Sequence, residues 1–362
     1  MRPHQITDEI AEISRDRRHF IKMITTGTAG LTVPQWLAPK TANAVDVQPD
    51  PATVSFITGR DRRDMMHQVL EPLKDKIAQG IKGKQVIIKA NLVGPDPLCA
   101  AHVDAVRGVL DFLKPIYKKR VIVADSTGRT YPGPMGTWKH FDIHGYLDLP
   151  RKHKVKLVDL NDMPTKKLWI TNENFHASGV NIIDSYLDPD NYIISLTRLK
   201  THNGVVVTLS IKNIVMGSPI SHYKQRVAKG RNEKQLMHMG GHKNINFNIF
   251  LVSRHVRPHL SIIDGLTGME GNGPTKGTAV EHGVALAGTD MLAVDRVSTE
   301  LMGVNFNDVG YLKYVADAGL GQSDMTKITI LGQDIRNHVI QYRLHDNIER
   351  QMLWKEGLII DK

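Results

Sequence analysis

Val86-Ile87-Ile88-Lys89-Ala90-Asn91, answered further on by Val121-Ile122-Val123-Ala124-Asp125-Ser126, decides the fold of this chain. Each is a short apolar run that ends in polar residues. Between them, Val103, Val106, Leu110 and Leu113 recur at helical spacing over 101–116. Strand, helix and strand, with strands apolar on successive positions, imply parallel strands buried on both faces. Towards the N-terminus, Val54–Thr58 is another such run, and Met65, Met66, Val69, Leu73 and Ile77 give a helical pattern over 61–80. Towards the C-terminus, Val155–Leu160, Lys167–Thr171, Val180–Ile183, Tyr192–Leu196, Leu260–Ile263, Val284–Ala287 and Ile328–Leu331 read as strands, and Leu292–Met302 as a helix. The expected fold is α/β: a mostly parallel, Rossmann-like sheet over 54–335 with helices on both faces. A central insertion is expected at about 130–190, a lid at 218–243 and a C-terminal extension at 336–362.

The first 44 residues read as an address. Ser14-Arg15-Asp16-Arg17-Arg18-His19-Phe20-Ile21-Lys22 precedes a modest apolar run, Met23 to Val33, and then Ala42-Asn43-Ala44. Paired arginines, a bulky apolar residue, a lysine and a small-x-small cleavage site make a twin-arginine export signal. The expectation is export by the twin-arginine translocase to the periplasm, with 45–53 as a linker. No later stretch reaches the ~20 apolar residues that span a bilayer, so no stable membrane span is expected.

The chain has 362 residues, a net charge of +10 and one cysteine. Six basic and four acidic residues leave with the signal, so a surplus of eight remains, which favours anionic partners. Two basic groups stand out, Lys118-Lys119-Arg120 and Arg151-Lys152-His153-Lys154. Neither is interleaved with aromatics as a single-strand groove would be, so no nucleic-acid partner is expected. Cys99 alone cannot form an intrachain disulfide or a cysteine-ligated iron–sulfur cluster, and its apolar neighbourhood reads as that of a buried, inert thiol.

In open parallel sheets, ligands sit beyond the carboxyl ends of the strands. Lys89 and Asn91 follow one strand, Asp125 and Ser126 the next, Arg198-Leu199-Lys200-Thr201-His202 a third, Asp264-Gly265 a fourth and Gly288-Thr289-Asp290 a fifth. Lys212 and Asn213 lie inside the apolar stretch 208–217, where a lysine must find a carboxylate or an anionic ligand unless its ammonium reaches the surface. The loop Gly268-Met269-Glu270-Gly271-Asn272-Gly273-Pro274 is either a phosphate cradle, with Glu270, Gly271 and Gly273 as contacts, or a tight structural turn. Three histidine pairs have i,i+4 spacing, but glycine or proline interrupts two of them and the first lacks the adjoining glutamate of a zinc helix. A divalent metal, if bound, is expected on His202, His238, Asp125 and Asp264.

These motifs stand together in one order: Lys89-Ala90-Asn91, Ala124-Asp125-Ser126, Leu199-Lys200-Thr201-His202, Ser210-Ile211-Lys212-Asn213, His238, Asp264-Gly265 and the glycine-rich run. In this the chain resembles the bacterial and archaeal family known as domain of unknown function 362, over roughly residues 54–305. Many members carry a ferredoxin-like segment with cysteine-bound iron–sulfur clusters, which one cysteine cannot reproduce. The resemblance supports positions and brings no reaction with it. From the residues themselves, an exported protein that binds a phosphate- or carboxylate-bearing small molecule is expected. Lys89, Asn91, Ser126, Lys200, Lys212 and Asn213 would hold the anion, and His202, His238 and Asp125 would serve in acid–base chemistry. The alternative is a non-catalytic accessory or redox-partner protein without such a cluster.

Overall fold

A computed structural model describes residues 49–127, 136–221 and 232–356. The expected export signal, residues 1–44, and the tip of the expected lid, residues 222–231, lie outside the described residues. Gln48–Lys355 is one compact unit.

In chain order the elements are β1 (Ala52–Thr58), α1 (Arg62–Gln68), α2 (Lys74–Ile81), β2 (Gln85–Ala90), α3 (Val103–Ile116), β3 (Val121–Asp125), α4 (Thr137–Ile143), α5 (Leu149–Lys152), β4 (Val155–Asp159), β5 (Thr165–Thr171), β6 (Ala177–Ile183), β7 (Asn191–His202) and β8 (Val206–Thr208). They continue with α6 (Ser210–Met216), α7 (Glu233–Leu236), α8 (Gly241–Ser253), β9 (Leu260–Asn272), β10 (Lys276–Gly288), α9 (Met291–Leu301), α10 (Gly310–Asp317), β11 (Ile328–Gly332) and α11 (Ile348–Gln351). The main sheet has the order β11-β1-β10-β9-β7-β2-β3-β4, with β8 paired to β7. All pairs from β9 through β4 are parallel, as is β1 with β11, while β10 and β8 run against their neighbours. The chain is thus a large, mostly parallel α/β sheet flanked by helices.

The two sheet faces bury different sets. Val86, Ile88 and Ala90 of β2 and Val121 and Val123 of β3 join Met66, Val69, Ile77, Val106, Val109 and Leu113 of α1–α3 in one apolar cluster. The alternate positions face α6: Ser195 Oγ donates to Ser210 O at 3.1 Å, and Ser210 Oγ donates to Ser261 Oγ at 2.6 Å. Period-two alternation sends Lys89, between Ile88 and Ala90, to this second face.

Five sequence readings change. Residues 61–80 are two helices joined by a 3-10 turn at Glu71–Leu73, because Pro72 cannot sit inside a helix. Val155–Asp159 is the edge strand of the main sheet, so about 130–190 is not an inserted body; only β5 and β6 stand off as their own antiparallel ribbon. The glycine-rich run is no free loop. Strand β9 continues to Asn272 and pairs with β10 in a long hairpin. Because β10 runs antiparallel, Asp290 falls at the opposite edge of the sheet, where it caps α9 through Leu292 N–H and Ala293 N–H, both at 2.9 Å. Of the expected lid, 218–221 and 232–243 are packed chain: Ser218, Ile220, Ser221, Glu233 and Met237 are buried.

Among the described residues, no helix is long and apolar enough to cross a membrane.

Candidate functional site

The carboxyl ends of β2, β3 and β7 deliver a cluster of lysines onto α6. Lys89 Nζ pairs with Asp125 Oδ1 at 2.6 Å and donates to Ala90 O at 2.7 Å and Asn213 Oδ1 at 3.2 Å. Asn213 is the knot of the cluster: its Oδ1 also accepts from Asn91 Nδ2 at 3.0 Å, and its Nδ2 donates to Ser195 Oγ at 3.0 Å. Asn91 in turn accepts from Lys200 Nζ at 2.6 Å, and Cys99 O accepts from the same ammonium at 2.7 Å. Lys234, at the start of α7, donates to Ser126 Oγ at 3.0 Å and Met216 O at 2.9 Å. Gly217 is required here, since a Cβ would stand 2.4 Å from Lys89 Cε.

Lys212 is the exception. It projects from the middle of α6, is 7% exposed, and makes no hydrogen bond or ion pair among the described residues. Burial first, and then the charge of Lys89, lowers its pKa to about 7. Burial first, and then Lys212, lowers Lys200 to about 7 as well. Among the described residues, Asp125 forms an ion pair with this group of lysines, through Lys89. Helix α6 holds Lys212 in place through its N-terminus, where Asp295 accepts from Ser210 N–H at 2.8 Å and Ile211 N–H at 2.9 Å. Burial pushes the Asp295 carboxyl up to about 8.

His202 links this cluster to a cleft of about 860 Å³, which it lines with His238, Gly273, Pro274, His345 and Glu349, among others. The buried His202 ring is driven well below its ordinary pKa, first by desolvation and then by Lys212. Its Nδ1 accepts from Gly204 N–H at 2.9 Å, which leaves the proton on Nε2. His238, exposed on the cleft wall, has the opposite tautomer: its Nδ1 faces Lys234 O at 2.8 Å and must donate, leaving Nε2 bare. One imidazole thus offers a proton and the other a lone pair. The turn behind His202 is strained, for Val206 is a β-branched residue at φ 66°. Gln351 of α11 fixes it, accepting from Val206 N–H at 2.6 Å and donating to His202 O at 2.9 Å.

Of the expected residues, Lys89, Asn91, Asp125, Ser126, Lys200, Lys212, Asn213 and His202 converge, with His238 bridged to them by Lys234. Asp264 does not. It ion-pairs with Arg62 at 2.8 Å, and Asp125 is taken by Lys89, so His202, His238, Asp125 and Asp264 do not form the expected metal set. No group of three His, Cys, Asp or Glu suited to a metal ion occurs among the described residues. Glu270 and Gly271 also fall away from the lysines. Glu270 accepts from Arg343 N–H at 2.9 Å, and Gly271 N–H donates to Arg343 O at 2.6 Å, so both bind the C-terminal segment. Gly273 lines the cleft, but its lack of a side chain serves packing: a Cβ would lie 2.1 Å from Thr201 O. Lys234 and Gln351 are neighbours of the cluster that sequence spacing did not single out, and Asp295 stands in the same motif order after Asp290.

The model of the family described as domain of unknown function (DUF362) matches residues 86–300, which spans β2 through α9 and contains every lysine of the cluster. The chain belongs to the DUF362 family. The chain is also similar to a thylakoid-associated protein of Synechocystis sp. (strain ATCC 27184 / PCC 6803 / Kazusa), 25% identical over 247 residues that cover 66% of this chain and 68% of that protein. Among solved structures, the lactate racemase apoprotein of Thermoanaerobacterium thermosaccharolyticum matches with a TM-score of 0.36 at 13% identity, covering 65% of this chain and 52% of that one. A Thermotoga maritima protein matches with a TM-score of 0.34 at 11% identity, covering 59% and 53%. The chain thus spans about half the length of these two structures.

Proposed function

We propose that this DUF362 protein binds a phosphate- or carboxylate-bearing small molecule at the carboxyl edge of β2, β3 and β7, with Lys212 as its principal cation. The observation that carries the reading is the Lys212 side chain, buried without a counter-charge among the described residues and beside three further lysines. A buried, unpaired charge among like charges is costly unless an anion joins it. Lys200 and Lys234 supply the surrounding positive field, and Lys89 with Asp125 fixes the floor. His202 and His238, with complementary tautomers, equip the same site to pass a proton to or from the bound molecule. We also infer that the chain is exported by the twin-arginine route, which rests on Arg17-Arg18 and the run that follows them.

Thermal unfolding of the full chain at a pH of about 6.5 tests the binding reading, because Lys212 is then mostly charged. Inorganic phosphate and oxalate serve as probes. At about a hundredfold excess over Kd, at least one should raise the melting midpoint by about 5 °C. The increase should vanish in Lys212→Met. No response of the wild-type protein to either anion, or an equal response in the variant, would overturn the reading.

A further inference from the structure

The two basic groups that are separate in the sequence meet in space, at the edge of the sheet opposite the lysine cluster. Strands β3 and β4 are parallel and in register, Val121 beside Val155, so the residues that precede them lie side by side. Val121 N–H donates to Lys154 O at 3.0 Å, and Lys154 Nζ donates to Lys118 O at 2.6 Å. The end of α3 adds Lys114, whose carbonyl accepts from Lys118 Nζ at 3.3 Å. Lys119 extends the row towards β2 by donating to Gly83 O at 2.6 Å. The result is a shallow groove of about 550 Å³ in which Lys114, Lys118, Lys119, Lys152 and Lys154 stand with Arg63 and Arg107.

Only one carboxylate, Asp111, lines this groove, and Arg63 takes it at 2.5 Å. Arg107 pairs with Asp104 at 2.6 Å. The five lysines have no acidic partner among the described residues; where they bond, they bond to neutral carbonyls that leave their charge in place. All five are exposed, as are the neighbouring Arg120 and Arg151. The row is therefore a broad field of flexible ammonium groups rather than an enclosed pocket shaped to one small anion.

We propose that this edge is a docking surface for the phosphate headgroups of an anionic lipid bilayer. Clustered lysines at a surface gain about 1 kcal/mol each near such headgroups. Two features favour a bilayer over nucleic acid. Among the described lining residues no Phe or Trp is offered for stacking, and Tyr117 is buried, accepting from Val86 N–H at 3.0 Å and donating to Lys84 O at 3.2 Å. The row lies on strand starts, on the last turn of α3 and on the four-residue α5, so no long basic helix is presented to a groove of a duplex. Docking by this edge also leaves the carboxyl edge, with Lys212 and the cleft, turned away from the lipid.

The test is co-sedimentation of the full-length chain with phosphatidylcholine vesicles, with and without about one third phosphatidylglycerol. The wild-type chain should partition to the anionic vesicles alone and release between about 50 and 300 mM NaCl. The variant Lys118→Glu/Lys119→Glu/Lys152→Glu/Lys154→Glu should lose on the order of a hundredfold in partition. The N-terminal segment is the same in both proteins, so its own basic residues do not account for the difference. The changes are on exposed side chains, and unaltered circular dichroism should confirm the fold. If the glutamates prevent folding, the four glutamine substitutions should still give at least a tenfold loss. Equal partition to neutral vesicles, absence of partition, or unchanged partition in the variant would overturn the proposal. Preferential retention on duplex DNA, lost in the same variant, would replace the bilayer by nucleic acid.

Discussion

Lys212 is a residue that the free protein holds at a cost. Its side chain is buried and its ammonium has no counter-ion among the described residues, so replacing it with an apolar chain of similar length should stabilise the ligand-free fold. Lys212→Met is expected to raise the unfolding free energy by about 1–3 kcal/mol in urea titrations at neutral pH. Destabilisation would show that the ammonium has a structural role. The pH dependence gives a second sign. Lys212 is held at about 7 in the folded state and returns to about 10.4 when unfolded. Below about 7 both states carry the proton and the full penalty is present. Between the two values the unfolded chain binds the extra proton, so stability rises with pH. That slope should be reduced in Lys212→Met, while anion binding by the wild-type protein should weaken as pH rises through about 7. Lys212 was legible in the sequence because a charge inside Ile211, Ile214 and Val215 is conspicuous. Lys234 was not, because its neighbours are polar. Its importance comes from Ser126 Oγ and Met216 O, which only the fold brings to it.

At the scale of elements, α6 positions the site, and its anchorage depends on one carboxyl group. Asp295, from α9, accepts from two N–H groups of the first turn of α6. With its pKa raised to about 8, Asp295 is mostly neutral at pH 7, so asparagine is close to it in shape and keeps one acceptor oxygen. Asp295→Asn, which leaves one of the two donors facing an NH2 group, should therefore cost about 1–1.5 kcal/mol, and Asp295→Ala about 2–3 kcal/mol, from two buried donors left bare. Calorimetric unfolding separates the two. The alanine variant should also lose the anion-dependent rise in melting temperature, because Lys212 and Asn213 move with α6. Equal losses in both variants would show that the charge of Asp295, rather than its acceptor geometry, holds the helix. Strand ends were readable at Lys89 and Asp125, where apolar runs stop abruptly, whereas the strand read as ending at Leu196 continues to His202. The glycine-rich hairpin was not. Gly268 yields to Tyr342 Oη, 2.0 Å from where a Cβ would lie, Gly271 to Arg343 and Gly273 to Thr201. Each close approach comes from a segment distant in sequence, so four glycines in ten residues resemble a phosphate loop until the partners are in place.

Across the whole molecule, the two edges of one sheet carry two kinds of positive charge. The carboxyl edge buries lysines around Lys212, and the amino edge of β3 and β4 exposes them. The direction of the strands separates the two, which is why the sum of charges in the sequence could suggest an anionic partner without showing that the lysines divide between opposite edges. The same organisation bears on export. The compact unit begins at Gln48, and the first described residues are held to it by Gln322, whose Nε2 donates to Pro49 O at 2.9 Å and Asp50 O at 3.3 Å. The sheet and its site are built from residues after this point, so the proposed twin-arginine segment would serve only as an address. Deleting residues 2–44 should then leave the melting temperature and the response to anions unchanged while the protein stays in the cytosol. Arg17→Lys/Arg18→Lys in the full chain should do the same to location, with folded protein accumulating inside the cell. Fractionation followed by immunoblotting reads both. Periplasmic recovery of the doubly substituted chain would remove the twin-arginine assignment. A lower melting temperature after the deletion would show instead that the N-terminal segment contributes to the fold itself.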